Sequence, residues 1–284
     1  MYFIFYIYFL KMTTKKNIST QTKIKTKDIG IQCNLDCILN EKIKIDNIET
    51  IIFPGGFMKG YAFIGFIKYI KEKLKDKKFK NIIGVSIGSI FSLGLVLDMD
   101  INELINLIFK YKLKNAQNFN IENFLNFNYY YGIDNGLKVN IYIKNMLYEK
   151  TGNSYITFKK LYELTNVNFV VVGCNLTLKK TEYFSYNTTP NMMVWLAIRI
   201  SCNLPFLFNS IKYNDFYYLD GGITSNFPID YIKTHLCQSL NNTLILKLKE
   251  TNKNINRNSF INFVSNLIGS FRHQDFNRIN LYKN

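Results

Sequence analysis

The chain is predicted to adopt an α/β fold: a three-layer α/β/α arrangement with a mainly parallel central sheet. Two stretches carry this expectation. Thr50-Ile51-Ile52-Phe53 is a short apolar run ended by Pro54-Gly55-Gly56, after which Phe63, Phe66, Ile67, Ile70 and Leu74 recur at helical spacing, with Lys68, Lys71 and Lys75 on other faces. Asn81 to Val85 then repeats the pattern, followed by a glycine-flanked turn and a second apolar helix from Ile90 to Leu97. A β-α-β-α order joined by tight turns favours parallel strands covered by helices.

The remaining elements follow in order. Met1 to Leu10 is almost wholly apolar or aromatic, too short to span a bilayer as a helix. It lacks the basic leader and small-residue cleavage site of a secretory signal. Two readings stay open: a short interfacial anchor backed by Lys11, Lys15 and Lys16, or a true start at Met12. Thr13 to Asp46 is polar and reads as a flexible lead-in, so residues 1–46 stand apart. Residues 48–232 form the main domain, beginning near Ile48. Ile101 to Leu164 is mostly helical in pattern, with aromatic-rich loops around Phe119 to Tyr131. Asn168 to Val172 is a β-branched strand and Thr181 to Tyr186 a shorter one. Met192 to Ile200 is apolar all round and reads as a buried helix. Phe216 to Leu219 is a strand that stops at Asp220-Gly221-Gly222. Residues 233–284 complete the domain with a strand at Thr243 to Leu248, an amphipathic helix at Ser259 to Phe271 and a polar tail. There is no internal repeat.

With 284 residues and 48% hydrophobic content, a substantial core is available. The charge is lopsided, 36 Lys+Arg against 20 Asp+Glu, or +16. Such a field favours anionic partners, and an acidic membrane surface is one. The joint richness in Lys, Asn, Ile, Tyr and Phe is also that of AT-rich codons, which explains much of the excess. No nucleic-acid-binding module accompanies the charge, so no nucleic-acid partner is expected. Cys33, Cys37, Cys174, Cys202 and Cys237 are scattered and odd in number, which argues against a disulfide framework and for a reducing intracellular compartment. With only His235 and His273, and no zinc-ligand spacing, no metal is expected.

Gly84-Val85-Ser86-Ile87-Gly88 is the stretch with chemical content. A serine between two glycines, on a strand-turn-helix, is the setting of a nucleophile elbow. Serine also needs a base to take its proton and an electropositive pocket for the oxyanion. Asp220 ends an apolar strand, and in open α/β sheets sites gather outside the carboxyl ends of strands. The Gly55-Gly56 turn follows a strand too, so nucleophile, base and oxyanion donors would come from three strand ends on one rim. A phosphate-binding loop is excluded because Lys59-Gly60-Tyr61 has the wrong order for Gly-Lys-Ser/Thr. Taken singly, each block is also a common turn; their order and their strand-end positions give them weight.

Together the blocks resemble the patatin-like phospholipase family. Gly55-Gly56-Phe57-Met58-Lys59-Gly60 is similar to the family's G-G-G-x-[KR]-G oxyanion loop. Gly84 to Gly88 matches its G-x-S-x-G elbow, and Asp220-Gly221-Gly222 its D-G-[GA] motif, continued by Asn226-Phe227-Pro228. Ala197-Ile198-Arg199-Ile200-Ser201, through Pro205 and Phe208, is similar to the segment before the aspartate. The likeness runs from Ile51 to Asp230. It implies a phospholipase A-type lipid acyl hydrolase working through a Ser-Asp dyad and an acyl-enzyme, with no cofactor. Ser86 would attack the ester carbonyl, Asp220 would accept its proton and later activate water, and amides of the Gly55-Gly56 loop would hold the oxyanion. Lys59 would position the loop. The partner implied is a phospholipid or other acyl-ester lipid; the lysine excess and the Phe/Tyr-rich loops add, peripherally, an anionic membrane surface, in an intracellular, cytoplasmic or membrane-associated setting.

One position departs from the pattern: the loop's third glycine is Phe57. Two alternatives accompany the main reading, the first because of Phe57. One is a catalytically impaired lipid-binding or interaction protein on this scaffold; the other is a lipase or acyltransferase acting on neutral lipid. A Ser86-Asp220-His triad through His235 or His273 fits the chain order of α/β-hydrolases, but the elbow comes too soon after the first strand for that fold.

Overall fold

The computed structural model describes residues 3–9, 22–26, 29–33, 47–73, 77–111, 121–248 and five positions between 263 and 270. Its strands are β1 (Phe3–Phe9), β2 (Thr22–Thr26), β3 (Ile29–Cys33), β4 (Thr50–Phe53), β5 (Asn81–Val85), β6 (Gly132–Asp134), β7 (Asn168–Asn175), β8 (Lys180–Phe184), β9 (Phe206–Phe208), β10 (Ile211–Tyr213), β11 (Phe216–Asp220) and β12 (Thr243–Leu248). Its helices are α1 (Phe63–Lys73), α2 (Ile87–Val96), α3 (Ile101–Tyr111), α4 (Ile121–Leu125), α5 (Phe127–Tyr130), α6 (Leu137–Thr151), α7 (Phe158–Thr165), α8 (Val194–Ser201) and α9 (Ile229–Thr234).

The centre of the sheet is parallel, in the order β12-β4-β5-β7. Its strands are buried on both faces, as parallel strands under crossover helices must be. Alternate side chains serve different cores. Ile51, Phe53, Ile82, Phe169, Val171, Leu244 and Leu246 join α1, α2, α6, α7 and α8 in one large cluster. Ile52, Ile83, Val85, Val170, Val172 and Ile245 face the other way, onto Ile229, Tyr231 and Ile232 of α9. The period-two alternation of apolar side chains thus fills two helical layers from one sheet, the expected three-layer plan.

One piece of topology positions the site. β7 is longer than its apolar core suggests and has two tenants along one edge. β8 pairs with Val171 to Asn175 on one side. On the other side β5 runs parallel to β7 as far as Val85 opposite Val172, and β11 takes over antiparallel, with Asp220 opposite Gly173. β5 and β11 therefore meet end to end in the same lane. Their carboxyl ends face each other across one register step.

Several expectations change. Asp220 does not reach the site on the rim of a parallel strand, because β11 runs against β7 and arrives head-on. The aromatic-rich stretch read as loops contains α4 and α5, and the three-residue β6, parallel to β9, follows them; such short elements carry too few residues for a periodic signal. The helix read as apolar all round, α8, buries a cation, Arg199. β2 and β3 fall within the stretch read as a flexible lead-in, where Thr22-Lys23-Ile24-Lys25-Thr26 alternates. The apolar N-terminal run, for which an interfacial anchor and a true start at Met12 both stayed open, supplies β1, which pairs antiparallel with β12. The amphipathic helix expected at Ser259 to Phe271, and His273, lie mostly outside the described residues.

Candidate active site

β5 delivers Ser86 and α2 begins at the next residue. Ser86 holds φ 52 and ψ −132, a left-handed-side conformation that costs a non-glycine residue on the order of 1–3 kcal/mol. The neighbours explain how it is held. A Cβ on Gly88 would come within 2.2 Å of Phe53 O and 2.6 Å of Pro54 O, so α2 starts in backbone contact with the end of β4. A Cβ on Gly84 would meet Ser92 Oγ at 2.3 Å and Ser89 Cα at 2.4 Å. Only glycine lets the strand, the turn and the helix pack this closely. Ser86 O accepts from Ser89 N at 2.8 Å and from Ser89 Oγ at 2.6 Å, which closes the turn. Ser86 N donates to Ser201 Oγ at 2.8 Å.

Ser86 Oγ donates to Asp220 Oδ2 at 2.5 Å, a short contact of the charge-assisted kind. The other carboxylate oxygen, Oδ1, accepts from Gly222 N at 2.8 Å, where a 3-10 turn over Gly221–Ile223 opens. Asp220 N donates to Asn203 O at 2.9 Å. Asp220 is fully buried and Ser86 is 4% exposed, so the pair sits in a largely dry setting. The two thiols near it, Cys174 and Cys202, are buried. Desolvation is the main cause that raises both, with the Asp220 charge adding to it, and Cys202 reaches about 12. Neither is primed to react as a thiolate.

The Gly55-Gly56 loop lies at the end of β4. Gly55 N donates to Asn226 Oδ1 at 2.7 Å in a buried setting. That amide is therefore engaged by a side chain of the protein itself. From Phe57 a 3-10 turn runs to Ala62, closed at its start by Lys59 N donating to Gly56 O at 3.1 Å. Gly60 packs against Ile87 of the elbow, where a Cβ would come within 2.7 Å of Ile87 Cγ1. Phe57 adopts φ 51, the left-handed region a glycine enters freely and a phenylalanine only at a cost. Lys59 is half-buried.

His235 lies exposed at the end of α9, stacked on Tyr231 with 4.7 Å between ring centroids and in hydrogen-bond contact with Thr234 Oγ1. Among the described residues no group of three or more His, Cys, Asp or Glu side chains is placed to hold a metal ion. The structure brings Ser86, Asp220 and the glycine loop together through residues whose parts in the site the sequence did not reveal: Ser201, Asn203 and Asn226. The available signal was polar side chains inside apolar surroundings, which are buried only when hydrogen-bonded.

A family model described as "Patatin-like phospholipase" matches residues 51–233. The chain belongs to this family. Among curated relatives, it is 31% identical over 193 residues to "Probable lipid hydrolase 463L" of Invertebrate iridescent virus 6, covering 66% of this chain and 64% of that protein. It is 29% identical over 195 residues to "Uncharacterized protein R571" of Acanthamoeba polyphaga mimivirus, covering 66% and 63%. The chain thus spans somewhat less than two thirds of the length of these relatives. Of solved structures, VipD from Legionella pneumophila matches with TM-score 0.48 and 19% identity, over 70% of this chain and 49% of that one. Full-length ExoU from Pseudomonas aeruginosa, in complex with SpcU, matches with TM-score 0.45 and 15% identity, over 83% and 52%.

Proposed function

We propose that this patatin-like chain is a serine acyl hydrolase of membrane lipids, phospholipase A-type, working through Ser86 and Asp220. The observation that carries the proposal is the buried 2.5 Å hydrogen bond from Ser86 Oγ to Asp220 Oδ2. A serine hydroxyl at a helix N-terminus, held against a carboxylate, has both a proton acceptor and an electropositive setting for the charge that develops.

In the first half-reaction Ser86 Oγ attacks the ester carbonyl carbon while its proton moves to Asp220 Oδ2. The tetrahedral oxyanion is held by amides of the glycine loop. Gly55 N is engaged with Asn226, so the donors are Gly56 N and Phe57 N, the first of these at the N-cap and the second in the first turn, where amides lack intrahelical acceptors. The intermediate collapses, the ester C–O bond breaks, and the leaving alcohol takes the proton from Asp220. In the second half, Asp220 takes a proton from water as it attacks the acyl-Ser86 carbonyl. Release of the fatty acid returns that proton to Ser86 Oγ. Lys59 is assigned to loop positioning.

The test is fatty-acid release from phospholipid vesicles by wild type, Ser86→Ala and Asp220→Asn. We expect each variant to lose at least ~10³-fold in kcat, in the range seen when a nucleophile or its base is removed. Full activity in both would overturn the assignment.

One observation favours a second reading. Phe57 stands at φ 51 inside the very loop that would hold the oxyanion. A strained, bulky residue there is compatible with a lipid-binding protein that has lost turnover. A fluorophosphonate probe separates the readings: labelling that Ser86→Ala abolishes supports the enzyme, and no labelling supports the binding scaffold. Products from phospholipid and triacylglycerol measured side by side decide between phospholipase and neutral-lipid lipase or acyltransferase.

Peripheral contact with a bilayer is part of the same proposal. Phe124, Leu125, Tyr129 and Tyr131 are 60–77% exposed on and beside α4 and α5, and the chain as a whole carries +16. Aromatic and leucine side chains on a cationic protein suit an anionic interface.

A further inference from the structure

The end of α8 reaches both members of the buried pair. Ser201 Oγ accepts Ser86 N–H at 2.8 Å. Two residues later, Asn203 bonds β11 twice: its backbone O accepts Asp220 N–H at 2.9 Å, and its side-chain Nδ2 donates to Tyr218 O at 3.0 Å. Asn203 thus grips β11 at alternate positions, much as a paired strand residue would. The orientation of its amide is set by Arg199, whose Nη1 donates to Asn203 Oδ1 at 2.8 Å. With Oδ1 taken, Nδ2 is left to face the Tyr218 carbonyl.

Arg199 is itself unusual. It is 3% exposed in a helix whose other side chains, Ser201 apart, are apolar. Its guanidinium lies 4.5 Å from the Phe208 ring centroid, and a Cβ on Gly136 would come within 2.2 Å of Nη2. Burial pulls its pKa down to about 10, opposed by Cys202 and by the buried Asp134. Burying a cation is costly unless the charge is well hydrogen-bonded. An apolar residue would fill the space without that cost, but it could not orient Asn203.

We propose that Arg199 and Asn203 are positioning residues that hold Asp220 at hydrogen-bond distance from Ser86, acting through the backbone of β11 without touching the lipid. The inference rests on the Ser86–Asp220 reading above. β11 is five residues long, and only Tyr218, Leu219 and Asp220 are in register with β7. β10 pairs with its first half, Phe216 to Tyr218, and Asn203 supplies two further bonds at the end that carries Asp220. Misplacement by ~1 Å at a reacting centre can cost about 10²-fold in rate.

The experiment compares Asn203→Ala, Asn203→Asp and Arg199→Lys with wild type, measuring kcat, KM, melting temperature and the rate of fluorophosphonate labelling. Asn203→Asp keeps the shape and the acceptor for Arg199 but cannot donate to Tyr218 O, so it tests the clamp with the least disturbance to folding. Ile143→Ala serves as a control, since it empties a fully buried site on α6 outside this network. We expect the Asn203 variants to lose ~10–100-fold in kcat and in labelling rate with KM within about twofold, and Arg199→Lys to lose less, in proportion to the misplacement. Ile143→Ala should melt earlier and keep its kcat below its melting temperature. The clamp alone is overturned if Ser86→Ala is inactive while both Asn203 variants turn over at the wild-type rate, or if their losses match that of Ile143→Ala at equal melting temperature. Full activity in Ser86→Ala overturns the dyad reading and the clamp with it.

Discussion

Ser86 and Phe57 are the two residues of the site held at positive φ, and the chain secures them differently. Ser86 is locked by close packing: its turn is pinned where Gly88 touches the carbonyls of Phe53 and Pro54. A methyl there meets backbone, which cannot rotate away, so Gly88→Ala is expected to destabilise by ~2–3 kcal/mol or more and to abolish labelling of Ser86. Thermal melts and probe labelling check this together. Phe57 is held by the loop's own turn and is half-buried. Phe57→Gly relieves ~1–2 kcal/mol of left-handed strain but removes a packed ring, so stability should change little. The informative readout is kcat: a value at or above wild type shows that the ring is tolerated by the loop, whereas a fall of more than about tenfold shows that the ring contributes to the acyl site. The sequence flagged this position from the motif alone; the conformation needed the fold.

At the scale of elements, the site is a junction of three turns tied by polar side chains. The elbow, the D-G-G turn and the glycine loop each follow a strand; each alone is a common turn, and they were legible through their order and their strand-end positions. What ties them was not legible. Asn226 looks like a turn residue in the sequence, yet its Oδ1 takes the Gly55 amide 171 positions earlier. Removing it leaves a buried N–H without that acceptor, which costs about 1–3 kcal/mol. Asn226→Ala is therefore expected to lower the melting temperature and, by releasing the loop, to cut kcat ~10–100-fold with little change in KM. Melts and steady-state kinetics on phospholipid vesicles check both. Arg199 was hidden for a related reason: the sequence reads its helix as apolar all round, and only tertiary contacts reveal that a cation is enclosed there.

Across the whole molecule, the two-sided sheet makes the interior dry, and buried groups titrate accordingly. The Cys202 thiol is raised by desolvation to about 12, against an ordinary value of 9.0. A group whose pKa is raised on folding contributes stability that is fully present below the unfolded value and is lost as pH rises toward the folded one. From pH 9 upward the unfolded chain should ionise at Cys202 while the native chain does not, so stability falls by up to ~1.4 kcal/mol per pH unit from this residue. Cys202→Ala is expected to make alkaline denaturation less steep between pH 9 and 10, as followed by denaturant midpoints. No helix among the described residues is long and apolar enough to cross a membrane. If the proposed enzyme meets bilayers at α4 and α5, the triple substitution Phe124→Ser, Leu125→Ser, Tyr129→Ser should weaken binding to anionic vesicles at least tenfold and leave hydrolysis of a short soluble ester unchanged. Unaltered vesicle binding would remove that surface from the proposal.

The sequence by itself carried the fold class, the family resemblance, and Ser86 and Asp220 as candidates, which the fold brings within hydrogen-bond distance. Alternating apolar strands, helical spacing and strand-terminal glycine motifs are local patterns, and local patterns survive in a linear text. It did not determine how Asp220 arrives. That depended on β5 and β11 sharing one edge of β7, so that Val85 and Asp220 stand opposite neighbouring residues of the same strand. Nor did it reveal that Ser201, Asn203 and Asn226 hold the three turns in place. Strand pairing and buried hydrogen bonds join positions 15 to 171 residues apart. Their partners are chosen by the packing of the whole sheet, a property no single stretch of sequence contains.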